Sequence, residues 1–233
     1  MGYLADEFHI NSYNERIRLK ERHLVFNVPE LCNVVAKAFD KGIDEVSGFE
    51  KFAEGGSYRI FKATFKDGTE AIARLPFPCT LPKGYGILSE VATMAFLRKH
   101  GLPIPKVYDW SAKTANSVGS EYMIMEKVQG TDLQETWYSM AMEQRMDMVQ
   151  KVVDLEKRLF DISLPACGSI YFNGTLPNGI HTVDIPDETD AVDVPDDQDD
   201  NSFDKFCIGP STELLWWYSN RAELGADKGP CKS

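Results

Sequence analysis

The sequence predicts an α+β fold with a five-stranded antiparallel sheet and one helix between the third and fourth strands. Three short β-type runs follow one another between residues 49 and 75, and the Asp67-Gly68 step between the second and third is a strong hairpin signal. A helical period then replaces the alternating one, and two more β-type runs follow. The element order from 49 to 126 is therefore β-β-β-α-β-β.

The five strands are short, and turn-forming residues separate them. Residues 55–57, Gly-Gly-Ser, lie between the first two strands, and a polar stretch around Asn116 and Gly119 separates the last two. Pro103 and Pro105 exclude a helix just before the fourth strand. The predicted strands are Phe49–Phe52, Arg59–Phe65, Glu70–Leu75, Val107–Trp110 and Glu121–Glu126.

Helical periodicity predicts one helix before the sheet, one within its order and two after it. Pro29 suits the first turn of the first helix, and Ser89 fits the N-cap of the second. The last helix carries an apolar stripe along one side. The predicted helices run over residues 29–40, from Ser89 to His100, from after Gly130 to about Met140, and over Glu143–Phe160.

The chain is predicted to have three parts: a helical N-terminal extension over residues 1–48, a sheet domain over 49–127, and a helical region over 128–233. The third part contains a loop at 174–204 that is rich in Pro, Gly and Asp. Much of the net charge of −11 comes from this loop, because Asp184 to Asp204 contains no Lys or Arg.

Composition excludes several classes of protein. A pI near 4.9 without a basic stripe argues against a nucleic-acid binder. No apolar run approaches the ~18–20 residues that a membrane span needs, so no span is expected. The five cysteines are odd in number, widely spaced and without a C-x-x-C pair, so the sequence indicates neither a zinc site nor a disulfide framework, and predicts reduced thiols.

The turn at Gly55, Gly56 and Ser57 is the first candidate binding element. Without Cβ atoms the two glycines can adopt positive φ and point N–H groups toward phosphate oxygens. A Gly-Gly pair in a hairpin turn is often purely structural, so this turn predicts a phosphate site only in combination with the residues that follow.

Three further positions strengthen the prediction. The third strand ends in Ala71–Arg74, similar to the V-A-I-K pattern of kinases with Arg74 at the lysine position. Glu90 on the next helix is the candidate acid that orients this cation, although each residue alone would also fit an exposed pair. Glu126 to Val128 leave the last strand where a kinase hinge offers backbone groups to adenine, or where a strand simply ends.

With these residues the chain resembles the fungal branch of the aminoglycoside phosphotransferase-like family, in the protein-kinase-like superfamily. Within that branch it is similar to the group that contains the altered inheritance of mitochondria type nine proteins. The segments that carry the resemblance are residues 54–61, 72–76, 89–94, 104–107, 119–127, 168–172 and 208–211.

The resemblance implies a kinase-like small lobe followed by an incomplete helical large lobe. It also implies ATP and Mg²⁺ between the lobes and phosphoryl transfer to a small-molecule acceptor of unknown identity. In this arrangement Gly55, Gly56 and Ser57 hold phosphates, Arg74 pairs with them, and Glu126 and Val128 meet adenine. Localisation, cytoplasmic or mitochondrial, also rests on the resemblance alone, because Glu15 and Glu21 are untypical of a mitochondrial presequence.

The sequence departs from the family in its catalytic residues. The family's catalytic loop is H-x-D-x-x-x-x-N, yet none of the four histidines is followed two residues later by Asp. In the family this loop lies beyond the segment similar to Gly229–Cys231, so the chain is expected to be truncated. We therefore expect no catalytic residue, no magnesium ligand, and ATP binding that is weak or lost. There are two alternatives to the phosphotransferase function. One is a non-catalytic pseudokinase-type module that binds nucleotide or a partner, and the other is a non-functional gene fragment.

Truncation also predicts exposed apolar surface. The Glu143–Phe160 helix and the Leu214–Tyr218 stretch are expected to lack the large-lobe elements on which they would pack.

Overall fold

The structure, a computed structural model, describes residues 12–186 and 205–232. It has the α+β architecture that the sequence predicts. Its elements are α1 (Ser12–Glu21), α2 (Val28–Ala38), β1 (Val46–Glu54), β2 (Tyr58–Phe65), β3 (Glu70–Pro76), α3 (Tyr85–Lys99), β4 (Val107–Ser111), β5 (Tyr122–Glu126), α4 (Leu133–Thr136), α5 (Met142–Phe160), β6 (Ala166–Cys167), β7 (Ser169–Phe172), β8 (Val183–Asp184), β9 (Phe206–Gly209) and β10 (Cys231–Lys232).

The chain divides into two compact units. The first runs to Gly84 and resumes over Tyr108–Ile124; the second comprises Tyr85–Val107 and the chain from Met125 onward. The five-stranded antiparallel sheet has the order β1-β2-β3-β5-β4. The predicted division into residues 1–48, 49–127 and 128–233 stays a prediction. The acidic residues from Asp187 to Asp204 lie outside the described residues.

The meander of β1, β2 and β3 has the predicted antiparallel pairing, with Phe61 opposite Ala73 and Ile60 opposite Arg74. Because side chains alternate between the two faces of a strand, one face of β2 and β3 is apolar. This face and α2 together form the main core of the first unit. Its fully buried members are Leu31, Val35, Ala36, Ala63, Phe65, Ala71, Ala73 and Leu75, together with Val118 and with Ile124 of β5.

Helix α2 begins as the sequence predicts. Pro29 lies in its first turn, and the N-cap residue Asn27 accepts a hydrogen bond from the Glu30 N–H at 3.2 Å through its side-chain oxygen. The helix ends at Ala38, and Asp40 adopts a positive φ of 54° just beyond it. The amphipathic pattern that predicts this helix therefore also places its apolar side on the sheet.

Helix α3 begins earlier than the sequence predicts. Ser89 is not its N-cap: the helix starts at Tyr85, and Ser89 lies inside it, only 7% exposed. Ile87 is already buried and lies one turn before the buried Val91, so the apolar face of the helix extends toward the N-terminus beyond Ser89.

The second unit contains a small sheet in the order β7-β9-β8. Tyr171 of β7 is fully buried and donates its hydroxyl to the Pro210 carbonyl at 2.7 Å. Its ring also meets Tyr85 of α3 edge-on, with centroids 6.4 Å apart. The sequence indicates a strand only near Cys167–Phe172, because the partner strands are short and distant along the chain.

Helix α5 confirms both the predicted element and the predicted exposure of its apolar side. None of its residues is buried within the described chain. Among its apolar side chains, Met146 is 62% exposed and Phe160 86% exposed. Leu214 and Leu215 are likewise more than half exposed. Within the described residues, no helix has the length and apolar character to cross a bilayer.

Candidate functional site

The turn between β1 and β2 is held from two directions. Within the hairpin, the Gly55 N–H donates to the Tyr58 carbonyl at 2.9 Å. From outside it, the Ser57 carbonyl accepts the Phe77 N–H at 2.9 Å and the Thr80 hydroxyl at 2.6 Å. The chain after β3 therefore fixes the position of the turn.

The turn does not use positive φ angles, which corrects the expectation from sequence. Neither Gly55 nor Gly56 lies in the left-handed region, because the bend is closed by the Gly55–Tyr58 hydrogen bond with ordinary φ values. A Cβ added to Gly56 would meet no atom within 4 Å. Within residues 12–186 and 205–232, the N–H groups of Gly56 and Ser57 donate to no backbone carbonyl. Neither backbone strain nor internal packing therefore requires glycine at position 56.

Charged side chains join the two strands at the base of this turn. The Glu54 carboxylate at the end of β1 accepts hydrogen bonds from Lys51 and from Arg59 of β2, the latter at 3.0 Å. The Lys51 and Arg59 hydrogen bonds lower the pKa of Glu54 to about 2. Glu54 is therefore ionised at neutral pH, and it ties the ends of the hairpin together.

Cationic side chains also surround Phe77, whose N–H donates to the Ser57 carbonyl. The guanidinium carbons of Arg22 and Arg59 each lie 5.6 Å from the centroid of its ring. Lys83 donates its Nζ to the Phe77 carbonyl at 3.1 Å. The Nε of Arg59 is buried and has no hydrogen-bond partner in the described part of the chain. Sequence reasoning missed these residues, because nothing in their spacing shows that they meet at Phe77.

Arg74, the predicted phosphate-pairing cation, lies beside the glycine turn. It stands opposite Ile60 in the β2–β3 register, and its guanidinium lies 4.4 Å from the ring centroid of Tyr58. Tyr58 directly follows Ser57. The structure thus brings four of the predicted residues, Gly55, Gly56, Ser57 and Arg74, into one neighbourhood of the first unit.

The other predicted residues belong to the second unit. Glu90 is partly buried in the second turn of α3. The backbone N–H of Glu126 donates to the Lys106 carbonyl at 2.8 Å, and its carboxylate accepts the Lys106 N–H at 3.0 Å. Val128 is 58% exposed, and within the described ranges its N–H donates to no backbone carbonyl. Val128 therefore retains a backbone donor that a ligand can use.

The next question is whether the described residues contain a cluster of side chains that could bind a metal ion. Across residues 12–186 and 205–232, no three or more His, Cys, Asp or Glu side chains cluster as a metal site requires.

The chain is similar in sequence to several fungal proteins. A subtelomeric hrmA-associated cluster protein of Aspergillus fumigatus is 36% identical to it over 183 residues, which are 78% of this chain and 32% of that protein. The altered inheritance of mitochondria protein 9, mitochondrial, of Yarrowia lipolytica is 26% identical over 235 aligned positions, covering 94% of this chain and 39% of that protein. Its namesake in Saccharomyces cerevisiae is 28% identical over 211 positions, covering 83% and 33%.

These comparisons confirm the predicted similarity to the altered inheritance of mitochondria type nine proteins. The chain spans between about a third and two fifths of the length of these relatives. No protein-family model matches it. Among solved structures, the erythromycin complex of Rv3197 from Mycobacterium tuberculosis is 16% identical and covers 61% of this chain and 45% of that one. Its TM-score of 0.30 is too low to support a structural argument.

Proposed function

We propose that the chain carries the nucleotide-binding small lobe of an ATP-dependent phosphotransferase of the aminoglycoside phosphotransferase-like family. The observation that carries the proposal is the turn at residues 55–57. It combines a glycine that the fold does not require, two N–H groups without a backbone acceptor in the described chain, and a neighbouring cation, Arg74.

Phosphate is the ligand that this combination fits. A Val or Leu side chain at position 56 would fill the open space beside the turn, whereas glycine lets a bulky anion approach the backbone closely. Hydrogen bonds to a charged group contribute about 1.5–3 kcal/mol each, so the Gly56 and Ser57 N–H groups would together supply about 3–6 kcal/mol. That range corresponds to a dissociation constant between about 6 mM and about 40 μM, and Arg74 and contacts to the base would have to supply any tighter binding.

The remaining roles follow the same proposal. For Glu90, Glu126 and Val128 we propose the roles that the resemblance implies: Glu90 as the acid that serves the phosphate-pairing cation, and Glu126 and Val128 as the residues whose backbone groups meet adenine. Magnesium would accompany ATP in the family, but the described residues offer no cluster of ligands for it, so no step through the metal is proposed. The acceptor is a small molecule of unknown identity.

Because two relatives are named as mitochondrial proteins, we extend a mitochondrial location to this chain, to be tested by fluorescence microscopy of a tagged form.

Calorimetric titration with ATP tests the phosphate role of the turn. We expect Gly56→Val to weaken ATP binding at least tenfold, because the added side chain blocks the approach to the Gly56 and Ser57 N–H groups. Gly225→Val is the matched control, since Gly225 is also exposed, lies outside the left-handed region, and has no atom within 4 Å of an added Cβ. Arg74→Met should weaken binding similarly, and Arg74→Lys should retain most of it, because the kinase pattern has lysine at this position.

Two outcomes would overturn the proposal. The first is that the wild-type chain shows no heat of binding with ATP at millimolar concentration. The other is an equal loss of affinity in the Gly56→Val and Gly225→Val variants, which would show that the turn has no special role.

A further inference from the structure

We propose that Cys167 and Cys231 form a reversible disulfide bond within one chain. The two residues lie in the antiparallel strand pair β6–β10, in which Cys231 is directly opposite Cys167 and Lys232 is opposite Ala166. They are far apart in sequence, so their proximity is visible only in the folded structure.

The register fits the geometry of a disulfide. Directly opposite residues of antiparallel strands have Cα atoms about 4.5 or 5.5 Å apart, depending on the pair type, and their side chains emerge on the same face. A disulfide accepts Cα separations of roughly 4.4–6.8 Å. Both values lie within that range, so the spacing of the paired strands permits the bond. Both thiols are exposed, so an oxidant can reach them.

Gly168, the residue that follows Cys167, packs closely against β9. A Cβ added to Gly168 would lie 2.7 Å from the Ile208 side chain, so only glycine lets this segment lie so near β9. The backbone at Cys167 is therefore held close to a buried strand.

The strand carrying Cys231 is also anchored. The Lys228 carbonyl accepts the Ser211 N–H at 2.8 Å, and Pro230 is buried. Gly229 has a φ of +91°, and a Cβ there would lie 3.3 Å from the Cys167 carbonyl oxygen. These contacts hold the two cysteines opposite each other before any bond forms, which lowers the entropy lost on cross-linking.

The other three cysteines lack this arrangement. Burial raises the pKa of the Cys207 thiol and of the partly buried Cys32 thiol, which disfavours the reactive thiolate. Cys79 is exposed but belongs to the first unit. Cys79 lies in a turn after β3 and not in a strand, so it is a control for an exposed thiol without a cysteine opposite it in a strand pair.

The chemistry is thiol–disulfide exchange with a small-molecule disulfide such as oxidised glutathione. One protein thiolate attacks a sulfur of the oxidant, forms a mixed disulfide and releases one glutathione thiolate. The second protein thiolate then attacks the protein sulfur of the mixed disulfide and releases the second glutathione. The protein loses two protons and two electrons, and the oxidant is reduced to two thiols.

The test uses the 233-residue chain equilibrated in glutathione buffers of increasing oxidised fraction, then alkylated and mapped by non-reducing peptide mass spectrometry. We expect a peptide pair joined through Cys167 and Cys231 and lighter by two hydrogens than the reduced pair. Cys79→Ser should leave this product unchanged, and Cys167→Ser or Cys231→Ser should abolish it. The bond closes a loop of about 65 residues, so oxidised wild-type chain should melt several degrees above its reduced form.

The mapping of unchanged chain decides the matter without depending on any variant. The proposal is overturned if Cys167 and Cys231 each carry glutathione without becoming linked. It is also overturned if either cysteine pairs preferentially with Cys32, Cys79 or Cys207, or with a second chain.

Discussion

The two hairpin turns of the β1–β2–β3 meander contain glycine for different reasons. At the second turn, Gly68 has a φ of +85°, its N–H donates to the Phe65 carbonyl at 2.9 Å, and the Asp67 side chain accepts the Thr69 N–H at 3.0 Å. The backbone N–H of Gly68 is therefore already bonded within its own turn. At the first turn, Gly56 has no positive φ and no neighbour that a side chain would strike.

This difference separates a structural glycine from a candidate functional one. The backbone at Gly68 needs a residue that tolerates positive φ, and folding alone explains its presence. Gly56 would accept other residues as far as the chain's own geometry is concerned. A ligand that needs close access to the backbone therefore explains Gly56 better than folding does.

The largest expected effect is a difference in sign between two alanine variants. Gly68→Ala should lower the free energy of unfolding by about 1–2 kcal/mol, because an L-residue in the left-handed region is strained. Gly56→Ala should raise the same quantity by about 0.4–1 kcal/mol, because alanine restricts the unfolded chain without straining the fold. Urea denaturation measures both. If Gly56→Ala destabilised the chain as much as Gly68→Ala, the two turns would not differ in the way we describe.

A smaller effect concerns the carboxylates that brace each turn. Hydrogen bonds from Lys51 and Arg59 lower the pKa of Glu54 to about 2, and the Lys41 hydrogen bond, with help from Thr69, lowers that of Asp67 to about 2. Because both folded-state pKa values lie below the unfolded ones, each carboxylate stabilises its turn at pH values above its ordinary pKa. That contribution is lost as the pH falls from about 4 toward 2.

Carboxyl-carbon NMR titration can follow the two groups separately. We expect midpoints near pH 2 for both in unchanged chain. Lys51→Gln should raise the midpoint of Glu54 and leave Asp67 unaffected, and Lys41→Gln should do the reverse. Ordinary midpoints of about 4 in unchanged chain would show that the two ion pairs do not persist in solution.

Local patterns in the sequence predict much of the first unit. The Asp67-Gly68 signal, the alternating strands and the amphipathic α2 all depend on residues close together in the chain, and each is found in the structure. The start of α3 is missed because burial of Ile87, a tertiary effect, outweighs the capping preference of Ser89.

Contacts between distant residues account for what the sequence does not reveal. Arg22, Arg59 and Lys83 meet at Phe77, and Cys167 lies opposite Cys231, although neither arrangement has a signature in spacing or composition. Helix α5 shows the reverse case. Its apolar stripe is predicted correctly, yet periodicity identifies only an apolar face and not the surface that would cover it.

The most direct test of the central claim compares the two turns in one experiment. In a ¹H–¹⁵N NMR titration with ATP, the amide signals of Gly56 and Ser57 should shift progressively and saturate, because their N–H groups would bind phosphate oxygens. The amide of Gly68, already bonded to the Phe65 carbonyl, should not move. Unmoved Gly56 and Ser57 signals at saturating ATP, or equal shifts at both turns, would contradict the claim that the first turn is a phosphate-binding site.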